Sequence, residues 1–150
     1  MLANDCVFCR ILKGEIPCTK VYEDEKVLAF LDIAPFNLGH AVIVPKHHEV
    51  SSTQLDAECL AAMMTVAPRI GAALIRAGLG EGFNLVLNNG RVAGQMVPHV
   101  HLHVVPRRAD DQVVFTAPGT KYDSPAAMED VAAQLRDSLK GGEAAPSPKA

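Results

Sequence analysis

The chain has 150 residues, 49% of them hydrophobic and 21% charged, with a mean hydropathy of +0.13, which excludes a disordered or collagen-like polymer. With 17 acidic against 14 basic residues the net charge is −3, which offers no electrostatic grip on nucleic acid or on an anionic membrane surface. The opening Met1-Leu2-Ala3-Asn4-Asp5 lacks the basic start and apolar run of a secretory signal, and charges or glycines interrupt every apolar stretch well short of a spanning segment. The expectation is a cytoplasmic, soluble protein with one domain over residues 1–140 and a low-complexity, flexible tail over 141–150.

Near the start, Cys6 and Cys9 form a C-x2-C pair, the spacing at which two thiolates can close on one zinc ion. In a cytosolic chain such cysteines are read as metal ligands before disulfides, whereas the solitary Cys18 and Cys59 read as buried apolar side chains. Val21-Tyr22 and Val27–Leu31 flank the charged turn 23–26 and predict a hairpin. Ala41–Val44 is a β-branched run stopped by Pro45, a third strand.

From Ser51 to Ala77 the apolar residues recur at three- and four-residue steps, through Leu55, Cys59, Met63, Val66, Ile70 and Leu74. This predicts a long helix capped by Ser52 or Thr53, ended at Gly78, and kinked or divided at Pro68. Its small and apolar exposed residues could pack against a second subunit. Phe83–Leu87 and Val100–Val105 read as two more strands, joined by a loop over 88–96 rich in glycine and asparagine. Ser124-Pro125 opens a second helix with Met128, Val131, Ala132, Leu135 and Leu139 on one face.

The most informative segment is Pro98-His99-Val100-His101-Leu102-His103-Val104-Val105. Strand side chains alternate, so His99, His101 and His103 share one face at intervals of about 7 Å while Val100, Leu102 and Val104 share the other. Packing does not explain three imidazoles in strict alternation. They suit either a zinc hydrolase or a nucleophilic histidine flanked by groups that orient it and neutralise an anionic substrate. The preceding loop, with Gly94 and Gln95, can aim backbone N–H groups at phosphate oxygens, which favours the nucleophile.

These residues resemble the histidine triad (HIT) family, whose alternating motif matches positions 99–105 throughout. Asp32-Ile33 with Pro35, Gly39-His40, Val44-Pro45-Lys46 and the run from Asn88 to Gln95 look like its nucleotide-hydrolase branch. The resemblance covers residues 5–108 and implies an α+β fold: a five-stranded, mainly antiparallel sheet with two helices, dimerising into a ten-stranded sheet.

It also implies roles. His101 would be the nucleophile and form a covalent nucleotidyl-imidazole. His103 would bind the α-phosphate or serve the leaving group, while Asn88, Gly94 and Gln95 would cradle phosphate with His40 in support. Met96 stands where several relatives of that branch have serine. Asp32 would accept the ribose hydroxyls, and Phe8, Ile11, Phe30 and Ile33 would line an apolar base pocket. Cys6, Cys9, His48 and His99 would hold a structural zinc ion that the chemistry itself does not require, with His47 facing solvent. The substrate implied is a purine nucleotide, with a phosphoramidate preferred to a dinucleoside polyphosphate. The remaining alternative is a nucleotide-binding interaction protein with incidental turnover. Arg107 and Arg108 receive no catalytic role.

Overall fold

A computed structural model describes residues 5–115 and 119–140. They fall into two compact units, one running through Val113 and the other starting at Val114; the expected tail, 141–150, lies outside the described residues. The first unit is a five-stranded sheet of β1 (Lys20–Glu23), β2 (Val27–Leu31), β3 (Ala41–Pro45), β4 (Gly82–Leu87) and β5 (Leu102–Arg107). Every pairing is antiparallel, in the order β1-β2-β3-β5-β4.

The strands alternate as their sequences require. Val27, Ala29, Ala41, Ile43, Leu102 and Val104 face a core completed by helix α2 (Ala57–Arg76), whereas Leu28, Phe30, Val42 and Val44 face the short helix α1 (Val7–Leu12). On the first face each fully buried Val, Leu, Ile or Met contributes about 1.5–3 kcal/mol. Gly71 of α2 lets the helix approach β4, because a Cβ there would lie 2.6 Å from the Phe83 ring. Val100, just before β5, and Leu102 and Val104 within it join this core, which leaves the opposite face of the same segment to the histidines.

Three expectations change. Helix α2 starts six residues later than the periodicity suggested: Ser51 and Gln54 close a capping box on a short 3-10 turn, Leu55 is extended, and Asp56 caps α2 by accepting from the Cys59 N–H at 2.6 Å. The helix then continues unbroken through Pro68, which sits on its exposed face, where the unbonded carbonyl one turn earlier can meet water. And the first unit has a second helix, α1, whose six residues are too few to show a period. Helix α3 (Pro125–Lys140), in the second unit, follows Ser124 as expected, with the Ser124 hydroxyl accepting from the Ala127 N–H, and is the third α-helix among the described residues.

By length and composition alone α2 could cross a membrane, contrary to the sequence expectation. Its buried face, from Cys59 to Leu74, packs on the sheet instead, and its opposite face carries Arg69.

Candidate active site

The row of histidines crosses the sheet face opposite α2. His103 is paired in register with Val42 of β3 and Val86 of β4, and residues directly opposite one another point to the same side. His99 and His101 precede the assigned strand because their backbone leaves the ladder: the Val100 N–H donates to the Glu49 carbonyl at 2.7 Å. His99 and His101 are buried and His103 is half-buried.

His101 has a defined tautomer. Its Nδ1 lies 2.7 Å from the backbone carbonyl of His99, which only accepts, so Nδ1 carries the proton and Nε2 presents a lone pair. Burial holds its pKa below the ordinary histidine value, so the ring is neutral near pH 7. The rings of Phe8 and His103 meet it edge-on, with centroids 5.3 and 4.9 Å away.

Hydrogen bonds set the tautomer of His103 as well. The Phe36 N–H donates to His40 Nδ1 at 3.3 Å, which puts the His40 proton on Nε2. That group donates to His103 Nδ1 at 2.9 Å, so His103 carries its own proton on Nε2. Burial first, and then the neighbouring His101 and His40, push His103 down to about 4. His40 is buried under the stacked Phe36 ring, and burial lowers its pKa too. Asp32 and His40 close a loop through the Asp32 N–H to His40 carbonyl bond, with Asp32 Oδ2 3.8 Å from His40 Nδ1. The other oxygen of Asp32 accepts from the Ala34 N–H, so this carboxylate shapes a turn and still faces the histidines.

The loop 88–96 differs from the expected cradle. Gln95 is buried, with Oε1 accepting from the Gly90 N–H at 2.7 Å and Nε2 donating to the carbonyls of Val50 at 2.8 Å and His99 at 3.4 Å. Its side chain therefore braces the site and has no donor left over for phosphate. The amides of Gly94 and Gln95 are also spent, on Arg91 and Gly90 carbonyls. Gly94 itself, at φ +90°, turns the chain in the left-handed region. Asn88 follows the Leu87–Leu102 pair, lies against Gly94, and its side chain makes no hydrogen bond among the described residues. Nor do the amides of Met96 and Val97, the next donors in the loop.

Phe8, Ile11 and Phe30 come together on the α1 face, with Phe8 and Phe30 centroids 5.7 Å apart. Ile33 does not join them: it is fully exposed in the turn after Asp32. Met96 is 77% exposed at the edge of the loop. Sequence reasoning missed Phe36, whose exposed ring gives no periodic signal, and Asn89, whose Oδ1 accepts from the Ser52 N–H at 2.8 Å and from both serine hydroxyls of 51–52.

Cys6, Cys9, His48 and His99 converge at the far end of the row. Cys6 Sγ is 3.5 Å from His99 Nδ1, Cys9 Sγ is 3.3 Å from His48 Nδ1 and 3.6 Å from His99 Nδ1, and the two Nδ1 atoms are 3.3 Å apart. Tetrahedral zinc, with bonds of about 2.3 Å to sulfur and about 2.0 Å to nitrogen, requires edges of about 3.3–3.6 Å between such donors. The donor set thus fits the ion in chemistry and in spacing. His99 Nε2 donates to the Pro45 carbonyl at 3.1 Å, which leaves Nδ1 as a ligand atom. His47 is exposed, and Cys59 is buried in the α2 core while Cys18 is only half-buried.

Residues 13–110 match the HIT domain family. The chain is 44% identical over 110 residues to adenylylsulfatase HINT3 of Arabidopsis thaliana, an alignment covering 73% of this chain but only 56% of that protein. It is 42% identical over 102 residues to adenosine 5'-monophosphoramidase hnt1 of Schizosaccharomyces pombe, covering 68% and 74% of the two chains. Among solved structures, a Streptococcus mutans protein superposes with a TM-score of 0.84 at 38% identity, over 91% of this chain and 86% of that one. A zinc-bound histidine triad family protein of Mycobacterium smegmatis does so with a TM-score of 0.71 at 39% identity, over 91% and 99%.

Proposed function

The chain belongs to the HIT domain family, and from that premise we propose that it is a nucleotide hydrolase that cleaves the bond to the α-phosphate of a purine nucleoside phosphoramidate. The observation that carries the reading is the pair of opposed tautomers: His101 offers a lone pair at Nε2, and His103 a proton at Nε2. One is built to attack and the other to donate.

In this reading His101 Nε2 attacks the α-phosphorus as the P–N bond to the leaving group breaks; the neutral His103 holds the departing nitrogen through its Nε2–H, and the amine draws its proton from solvent. Water then attacks the phosphorus of the nucleotidyl-imidazole, the P–N bond to His101 breaks, and the water's proton passes to solvent. The nucleoside monophosphate leaves and His101 is regenerated. Asn88 and the amides of Met96 and Val97 supply neutral donors to the phosphate oxygens. Asp32 takes the ribose hydroxyls, and Phe8, Ile11 and Phe30 seat the base.

Zinc, held by Cys6, Cys9, His48 and His99, would tie the N-terminal segment to the sheet. The full shell of four protein ligands leaves it no open position for water. β4, an edge strand of the sheet, offers its backbone to a second copy, which supports a homodimer. The Arabidopsis relative's name raises a sulfate leaving group as a second substrate class.

The test is release of AMP from adenosine phosphoramidate and from adenylyl sulfate by the native protein and by His101→Ala, both shown to be folded. Turnover by the native protein and its loss in the variant is expected. Equal activity in both would remove His101 as nucleophile, and tight AMP binding without turnover would leave a nucleotide-binding protein.

A further inference from the structure

We propose that the cysteine–histidine cluster positions the nucleophile, through Phe8 and through the backbone of His99, so that filling or emptying it changes the seat of His101. This rests on the zinc reading above. Two routes lead from the cluster to the imidazole.

The first is Phe8, which stands between the two cysteines on α1. Its ring meets His101 with centroids 5.3 Å apart, His99 at 5.8 Å and Phe30 at 5.7 Å, each edge-on. A helix of six residues has no stability of its own, so α1 keeps its place by packing and by whatever binds Cys6 and Cys9. If α1 lifts, Phe8 leaves the face of His101 and water reaches it.

The second route is His99. Its carbonyl accepts the His101 Nδ1–H and so chooses the tautomer, while its own ring is fixed at Nε2 by the Pro45 carbonyl and at Nδ1 by the cluster. With Nε2 protonated, His99 Nδ1 carries a lone pair 3.3 Å from His48 Nδ1. A metal ion satisfies both nitrogens at once. Without it the His99 ring loses one of its two anchors, two residues from the nucleophile. A purely structural clip would touch neither Phe8 nor His101, and this one touches both.

The test compares zinc-loaded protein, protein stripped with a chelator and then reloaded, and zinc-loaded Phe8→Ala, with zinc content and circular dichroism measured for each. The readouts are the His101 Nδ1–H proton signal in NMR of histidine-labelled protein, and AMP affinity by calorimetry. Stripping is expected to broaden or shift that signal and to weaken AMP binding by about tenfold, the lower end of what outer-shell supports of a site are worth; reloading restores both. Phe8→Ala should keep its zinc and still shift the signal, which decides the matter even if stripped protein unfolds. An unchanged signal in folded stripped protein or in zinc-loaded Phe8→Ala overturns the proposal while leaving zinc in place. A protein that takes up no zinc overturns the zinc reading and this inference together. Absence of AMP binding in every form counts against the nucleotide reading, and the NMR signal still decides this one.

Discussion

The two ends of the histidine row carry the same side chain in opposite surroundings. His99 is fully buried, anchored at both ring nitrogens, and shares its cluster with two cysteines and a second histidine. His103 is half-buried, backed on one nitrogen by His40, and its other nitrogen makes no hydrogen bond among the described residues. Alternation along a strand put both on one face, and their neighbours decided their uses. A closed donor shell can only hold, whereas an open one can exchange a proton. His101 lies between and borrows from both: its tautomer from the His99 carbonyl, and its ring contacts from Phe8 and His103.

The largest expected effect breaks the closed end. Cys9→Ser removes one of the four proposed ligands and should abolish zinc retention. Since structural zinc contributes directly to folding, the loss should reach several kcal/mol, or roughly 10 °C or more in Tm. Cys18→Ser, outside the cluster, should leave both quantities unchanged and serves as the control. Metal analysis with calorimetry reads the outcome, and Cys9→Ser protein that keeps native zinc and native Tm would show that the closed end is not a metal site.

Acid should distinguish the open end from the carboxylates. Burial lowers the pKa of His40 and His101 and takes His103 to about 4, against about 6.5 in an unfolded chain. The unfolded state therefore binds more protons between those values. The contribution is intact above pH 6.5 and is lost as pH falls towards 4, worth on the order of 3 kcal/mol for His103 alone. Asp111 behaves differently: Arg107 holds its carboxylate well below the usual range, so its contribution fades only at lower pH, below the histidine window. Tm measured from pH 7.5 to 4 should decline throughout the upper window. A flat profile between 6.5 and 4.5 would show that these rings do not sit neutral in the fold.

The sheet, the shared face of the histidines and the closeness of Cys6 to Cys9 were legible because each rests on a short-range regularity: an apolar run for β2 and a β-branched one for β3, strict alternation for the histidines, C-x2-C for the cysteine pair. What escaped depended on tertiary context. Helix α1 is shorter than two helical turns, so its apolar residues could not declare a period, and it is held by partners about ninety residues away. The start of α2 was misplaced because Leu55 fits the helical spacing and Ser52 and Thr53 are good cap residues, whereas the chain spends Ser51 and Gln54 on a 3-10 turn and caps the helix with Asp56. Gln95 was given to the phosphate cradle by resemblance, but the fold buries it and engages both ends of its side-chain amide. Ile33 was counted with the base pocket, yet the turn built on Asp32 points it into solvent.

The smallest effect would sharpen the open end. Met96 is 77% exposed, beside loop amides that have no partner among the described residues. In Met96→Ser no buried contact is lost, so Tm should shift by less than the change expected from about 0.5 kcal/mol. The new hydroxyl can donate to the leaving group that His103 otherwise serves alone, and one extra hydrogen bond at about 1 kcal/mol corresponds to a rate gain of roughly fivefold. Steady-state kinetics should place that gain in kcat, because the bond matters most as charge develops on the departing atom. A gain confined to KM would instead put position 96 against the ground-state phosphate. An unchanged kcat and KM would mean that the loop keeps the hydroxyl away from the reaction, and that His103 with its His40 support is the leaving group's hydrogen-bond donor unaided.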